Sequence, residues 1–209
     1  MIIGEISQQF GIEDMNEIVK INIGCRNKPL PSFINVDINP NNSLANIIDD
    51  GMKLEKFSDY SVDEIHAVHM AEHLDNESFM KALGNWYKKL KIGGTLVLSV
   101  PDMEKASALL LLSRDKNIVK SLFYGSQNSG DPWDYHRSLH THQSLTEDLI
   151  SAGYKDIKTW NYWEKFPYNY VDTYASAVYP HMLKKICMDN GRIIDLGGIQ
   201  LSLNLEATK

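Results

Sequence analysis

The sequence predicts an α/β protein built as an open, mainly parallel sheet of about seven strands with helices on both faces. Two observations predict it. Short β-branched runs alternate with stretches of helical periodicity, the order that gives parallel neighbours joined by crossovers. The first run also ends on a glycine turn and the second on an aspartate, and ligands of open α/β sheets bind outside such strand ends.

Residues 5–18 suit a short helix or an N-terminal arm. Val19 to Gly24 is the first predicted strand, Phe33 to Asp37 the second, Ala45 to Asp50 a short third and Glu64 to Met70 the fourth. Asn76 to Leu90 is predicted as an amphipathic helix, because Phe79, Leu83, Trp86, Tyr87 and Leu90 recur at helical spacing. Gly93 and Gly94 are expected to end it. Thr95 to Val100 is a fifth strand, stopped by Pro101-Asp102. Residues 103–124 read as helix, 125–142 as a polar and aromatic loop, and Gln143 to Ala152 as a helix closed by Gly153. Asp156 to Asn161 and Gln200 to Ala207 are the last two strands, separated by an aromatic-rich insertion. About ten residues, Pro29 and Pro31 among them, separate the first two strands. A parallel crossover usually takes roughly a dozen or more, so the first crossover helix is expected to be shortened or replaced by extended loop.

Length fits one domain over residues 1–209, with residues 162–191 as an insertion that forms a lid or a homodimer surface. The net charge is −6, which argues against a phosphate-backbone partner, so no nucleic acid is expected. Cys25 and Cys187 lack the spacing of a disulfide framework or zinc site. The longest apolar run, Ala106 to Leu112, is far short of a membrane span, and Met1 to Asp14 lacks a basic, apolar leader. A cytoplasmic location without membrane attachment is the expectation.

Six segments, in order, resemble class I S-adenosylmethionine-dependent methyltransferases, whose fold is Rossmann-like. Lys20-Ile21-Asn22-Ile23-Gly24-Cys25 resembles the glycine-rich first motif, Asn35-Val36-Asp37-Ile38 the acidic second-strand motif, and Asp49-Asp50 the adenine motif. His69-Met70-Ala71-Glu72-His73-Leu74 resembles the segment after strand four, Leu90 to Leu96 the glycine turn before strand five, and Val100-Pro101-Asp102 its end. The match covers residues 19–160 and the last strand. The Leu30-Pro31 turn is similar to methyltransferases of sugar and polysaccharide biosynthesis.

The resemblance implies S-adenosylmethionine as cofactor, S-adenosylhomocysteine as product, and methyl transfer to an oxygen or nitrogen of a small molecule or glycan. Gly24 would admit the amino-acid end of the cofactor close to backbone. Asp37 would accept the ribose hydroxyls, Asp49 or Asp50 the adenine amino group, and Ile38 and Met52 would pack on the adenine. His69 and Met70 would flank the methionine portion. Two positions depart from the pattern: Asn22 stands where the family carries an acidic residue, and Arg26 where it carries a second glycine. Arg26 would pair with the cofactor carboxylate or narrow the pocket. These departures motivate the alternative of a methyltransferase-like binding or scaffold protein without turnover.

A hydroxyl acceptor needs a base, and histidine suits neutral pH. His136 or His140 is the expected base, oriented by Asp134, with His73 and His142 as further candidates. Some class I methyltransferases carry a Glu-x-x-Glu-His motif after strand four that binds a divalent ion; here His69 replaces the first glutamate, and no metal ligand is assigned.

Overall fold

The strands run from two to twelve residues, and the residues that follow several of them line a cleft. A computed structural model describes residues 18–127, 133–160, 165 and 201–209. Seven strands form one sheet in the order β3-β2-β1-β4-β5-β7-β6. They are β1 (Lys20–Ile23), β2 (Ile34–Asp37), β3 (Ile47–Ile48), β4 (Val62–Val68), β5 (Leu90–Pro101), β6 (Lys155–Thr159) and β7 (Ser202–Thr208). The first five pair in parallel, and β7 runs antiparallel to both β5 and β6. This is a doubly wound order with one antiparallel strand slotted near its edge. The order reverses between β1 and β4, which is where such sheets open a ligand crevice.

Strand alternation sorts the two faces. Ile21, Ile23, Val36, Ile65, Ala67, Leu96, Leu98 and Leu205 belong to one apolar core. Helices α1 (Asn76–Lys89) and α4 (His142–Ser151) cover it with Phe79, Leu83 and Trp86 and with Leu145 and Leu149. Asp75 caps α1 by accepting from Ser78 N, and Thr141 caps α4 through a capping box with Ser144. The opposite face is more polar: Asn22 lies in register with Asn35 on one side and His66 on the other. Helices α2 (Met103–Ser113) and α3 (Lys116–Tyr124) build a separate apolar cluster with Leu201.

The β1–β2 connection contains no helix. Asn35 does its work: Oδ1 accepts from Leu30 N at 2.8 Å and from Asn22 Nδ2 at 2.9 Å, while Nδ2 donates to Leu30 O and Phe33 O. Three expectations need correction. Gly93 and Gly94 do not close a helix: Leu90 turns extended and pairs with Val62, and the glycines lie in a register irregularity inside β5, before Thr95 pairs with Glu64. Residues 103–124 are two helices, because Arg114 adopts a left-handed φ of 57° and Asp115 caps the next helix. The third strand is only two residues long, since Asp49 and Asp50 turn their carboxylates onto backbone N–H groups. The insertion at residues 162–191 lies outside the described residues, apart from Lys165; Trp160, just before it, donates its indole N–H to Leu98 O and Leu205 O. No described helix is long and apolar enough to cross a membrane.

Trp86 ties the core to the cleft: its buried indole N–H donates to Gly51 O at 2.7 Å. Trp86→Phe leaves that carbonyl buried and unpaired, so stability should fall by about 2 kcal/mol. Urea unfolding followed by far-UV circular dichroism checks this; a midpoint matching the wild type would show that the bond contributes nothing.

Candidate functional site

A cleft of about 1130 Å³ opens at the C-terminal ends of β1, β2 and β4. Its first wall is a glycine cradle. Gly24 adopts φ +68°, and a Cβ there would stand 3.0 Å from Met70 Cγ; a Cβ on Gly51 would stand 3.2 Å from Met70 Cε. Met70 therefore fills the space that two missing side chains leave, and all three residues line the cleft.

Asp37 sits at the end of β2, 5% exposed. Its Oδ2 accepts from Arg26 N at 2.7 Å and Asn42 Nδ2 at 2.9 Å, and its Oδ1 from Asn39 N at 2.8 Å. The Cys25 thiol also approaches Oδ2, at 3.9 Å; each carboxylate oxygen has about two lone-pair positions, so the room for a donor from the cleft is on Oδ1. Buried beside this carboxylate, the Cys25 thiol is pushed up to about 12 by desolvation first and the Asp37 charge second, which makes it inert near neutrality. Ile38, Asp50 and Met52 also line the cleft. Asp49 is not among its lining residues; its carboxylate accepts from Asp50 N and Lys56 N and serves the turn. Asn22 reaches the cleft, but its amide donates to Asn35 Oδ1 and Lys28 O, a structural role. Arg26 lines the cleft with a half-exposed guanidinium 3.8 Å from Asp134 Oδ1.

The other end of the cleft gathers around Glu72, in the short 3-10 turn Ala71–His73. Gly125 makes the arrangement possible: at φ +76° any Cβ would sit 2.2 Å from Asp134 O. The loop then locks down, with His136 N donating to Tyr124 O and Arg137 N and Ser138 N donating to Glu72 O. This brings His136 beside Glu72, Nε2 to Oε1 4.0 Å, and its ring 5.0 Å from that of His73. His69, held at φ +51°, donates or accepts through Nδ1 at Glu72 Oε1, 2.9 Å, and through Nε2 at Ser202 Oγ, 3.0 Å. Burial opposes ionisation of the Glu72 carboxyl, but the charges of His69, His73 and His136 and the His69 bond hold it below the usual carboxylate range. Burial lowers His136, with the Glu72 charge partly opposing the shift.

Two catalytic expectations change. His140 does not face the cleft: it is 3% exposed, its Nε2 meets Ser138 Oγ at 2.9 Å, and its ring packs edge-on against Phe79. Asp134 does not orient His136, whose Nδ1 instead donates to Leu122 O at 2.9 Å; the Asp134 carboxylate faces Arg26. Sequence reasoning missed Asn42, whose only signal was a run of turn-forming asparagines, and it missed the buried state of Glu72.

No protein-family profile and no curated protein matches the sequence. The folded chain is similar to a SAM-dependent methyltransferase from Archaeoglobus fulgidus, with a TM-score of 0.54 and 18% identity over 99% of this chain and 93% of that one. It is equally similar, TM-score 0.54, to a SAM-dependent methyltransferase from Thermotoga maritima, with 16% identity over 100% of this chain and 89% of that one. At such identities the likeness concerns architecture: the chain has the class I S-adenosylmethionine-dependent methyltransferase fold.

Proposed function

We propose that this protein is an S-adenosylmethionine-dependent methyltransferase acting on an oxygen or nitrogen of a small molecule or glycan. The observation that carries the reading is the Gly24–Met70–Gly51 cradle beside Asp37, at the point where the strand order reverses. Gly24 presents backbone without a side chain to the cofactor's amino-acid end beside Met70, Asp37 Oδ1, which accepts from Asn39 N, keeps a lone pair for a ribose hydroxyl, and Ile38 and Met52 offer apolar contact to a flat base. When bound, the cofactor supplies a methyl group made electrophilic by its sulfonium. The protein's task is to hold the acceptor in line and relieve it of a proton. Of His136 and His140, the two expected bases, His136 is the one that lines the cleft, together with the further candidate His73, and His136 Nε2 lies on the Glu72 side.

A specific observation favours the second reading, a methyltransferase-like scaffold without turnover. Three of the lone-pair positions of Asp37 are taken by the chain's own N–H groups, and Arg26 stands in the glycine-rich turn.

Calorimetric titration with S-adenosylmethionine and S-adenosylhomocysteine separates the two. We expect one saturable site, weakened at least about 10-fold in Asp37→Ala, since that change removes a charge-assisted hydrogen bond. A folded sample that binds neither compound would instead support the scaffold.

His136→Ala should lower kcat by about 100-fold or more while leaving S-adenosylhomocysteine binding nearly unchanged. His140→Ala should leave binding intact too, and lower the unfolding midpoint through the lost Phe79 and Ser138 contacts. Steady-state kinetics with an identified acceptor checks the pair; an unaffected His136→Ala would remove that residue from the mechanism.

A further inference from the structure

We propose that the outward side of residues 133–140 is a binding surface that continues the cleft, and that its ligand is a glycan chain of several sugar units methylated at the end that enters the cleft. Naming that ligand the acceptor rests on the methyl-transfer reading; the surface itself does not.

Burial along this segment alternates. Asp134, Ser138 and His140 are buried and His136 is half-buried, while Trp133, Tyr135, Arg137 and Leu139 are exposed. Period two is the pattern of a chain with two opposite sides. The inward side carries the groups already described: Asp134 toward Arg26, His136 beside Glu72 and His140 against Phe79. The outward side gathers two aromatic rings, one aliphatic side chain and one guanidinium, with Trp133 55%, Tyr135 46% and Leu139 56% exposed. Single exposed apolar residues mean little, but successive outward positions on one segment make a patch. Tryptophan, tyrosine and arginine are also the residues that most often dominate binding energy.

The position of the patch favours a ligand shared with the cleft. Trp133 and Arg137 line the cleft, whereas Tyr135 and Leu139 do not. The stripe therefore starts on the cleft wall, at the end that holds His136, and continues outside it. A compact acceptor fills the cleft and leaves Tyr135 and Leu139 uncovered. A chain whose end is methylated covers both.

Three kinds of chain differ in what they need from such a surface. A peptide that binds by adding a strand needs outward N–H and C=O groups on alternate residues. Here the consecutive residues His136, Arg137 and Ser138 all donate their N–H groups inward, to Tyr124 O and Glu72 O, so that ladder is broken. A polyanion or an anionic membrane needs clustered lysine and arginine. Arg137 is the one cation among the four outward residues, and the whole chain carries a net charge of −6. A glycan needs neither. Its rings have apolar C–H faces that pack on flat aromatic side chains, and its hydroxyl edges accept hydrogen bonds from a guanidinium. Trp133 and Tyr135 offer aromatic surface to more than one sugar unit, and Arg137 supplies the donor between the cleft and the outer stripe.

The test probes an array of neutral and acidic oligosaccharides, from single sugars to hexasaccharides, with the full chain in the presence of S-adenosylhomocysteine. The best-bound glycan is then titrated by calorimetry against wild type, Trp133→Ala, Tyr135→Ala and Tyr135→Phe, each checked for fold by circular dichroism. Affinity should rise with chain length and fall at least about 10-fold in both alanine variants. Tyr135→Phe, which keeps the ring, should bind as wild type does. Binding of no oligosaccharide, equal affinity for single sugars and longer chains, or full affinity in Tyr135→Ala overturns the proposal. So does a wild-type dimer in sedimentation that Tyr135→Ala dissociates, since the patch is then a contact between copies of this chain. S-adenosylhomocysteine binding is measured on the same samples and should be equal in all of them. If that ligand binds and no glycan does, the surface assignment fails and the methyl-transfer reading stands. If a glycan binds as expected and S-adenosylhomocysteine does not, the sugar surface stands and its role toward methyl transfer fails.

Discussion

The acceptor end of the cleft depends on one buried carboxylate. Glu72 touches every element there: its backbone oxygen receives Arg137 N and Ser138 N, its Oε1 meets His69, and its charge faces His73 and His136. A buried anion tolerates few environments, because each oxygen must be compensated or the group must neutralise. Here three imidazoles from two segments converge on it. The loop after α3 could not reach this position without Gly125, whose left-handed backbone admits Asp134 O at a distance no Cβ allows. The electrostatic need of one side chain and the steric permission of one glycine together set where the histidines stand.

The cofactor end is organised by different means. A parallel β1–β2 crossover normally spends its helix on satisfying backbone groups and covering apolar surface. This chain has too few residues for that, and side-chain amides take over. Asn35 and Asn22 close the loop against the sheet, and Asn42 and Asp37 close its far side. The result is a rigid turn whose polar groups are already paired with one another. Asp37 is therefore held firmly at the mouth of the cleft while keeping limited capacity for an incoming hydroxyl.

This division explains what could be read from the sequence. Strand positions, the helix from Asn76, and the places of Gly24 and Asp37 follow from local periodicity and from turn chemistry, which need only neighbouring residues. Phe79, Leu83 and Trp86 are buried as their spacing requires. The misread positions are those whose fate is decided by a partner far along the chain. The bond of Asn22 to Asn35, thirteen residues away, has no local signature. His140 looked as free as His136, yet one turns onto Phe79 and the other into the cleft. Asp134 and His136 are close in sequence, but the loop sends one toward Arg26 and the other toward Leu122. Arg114 breaks a helix that apolar spacing alone would continue, since nothing local to it forbids helix.

His69 joins the two ends, and its backbone strain follows from that position. A left-handed φ at a non-glycine residue costs on the order of 1–3 kcal/mol and persists only where several contacts fix it. Here at least three do: its amide donates to Ser99 O at 2.8 Å, Nδ1 meets Glu72, and Nε2 meets Ser202. Those contacts come from β5, from the 3-10 turn and from β7. The next residue, Met70, fills the glycine cradle. One strained residue at the end of β4 thus aims the carboxylate of the acceptor end and sets the wall of the cofactor end. Relaxing its φ would require both to move, so the two halves of the cleft are geometrically coupled through the backbone between His69 and Met70.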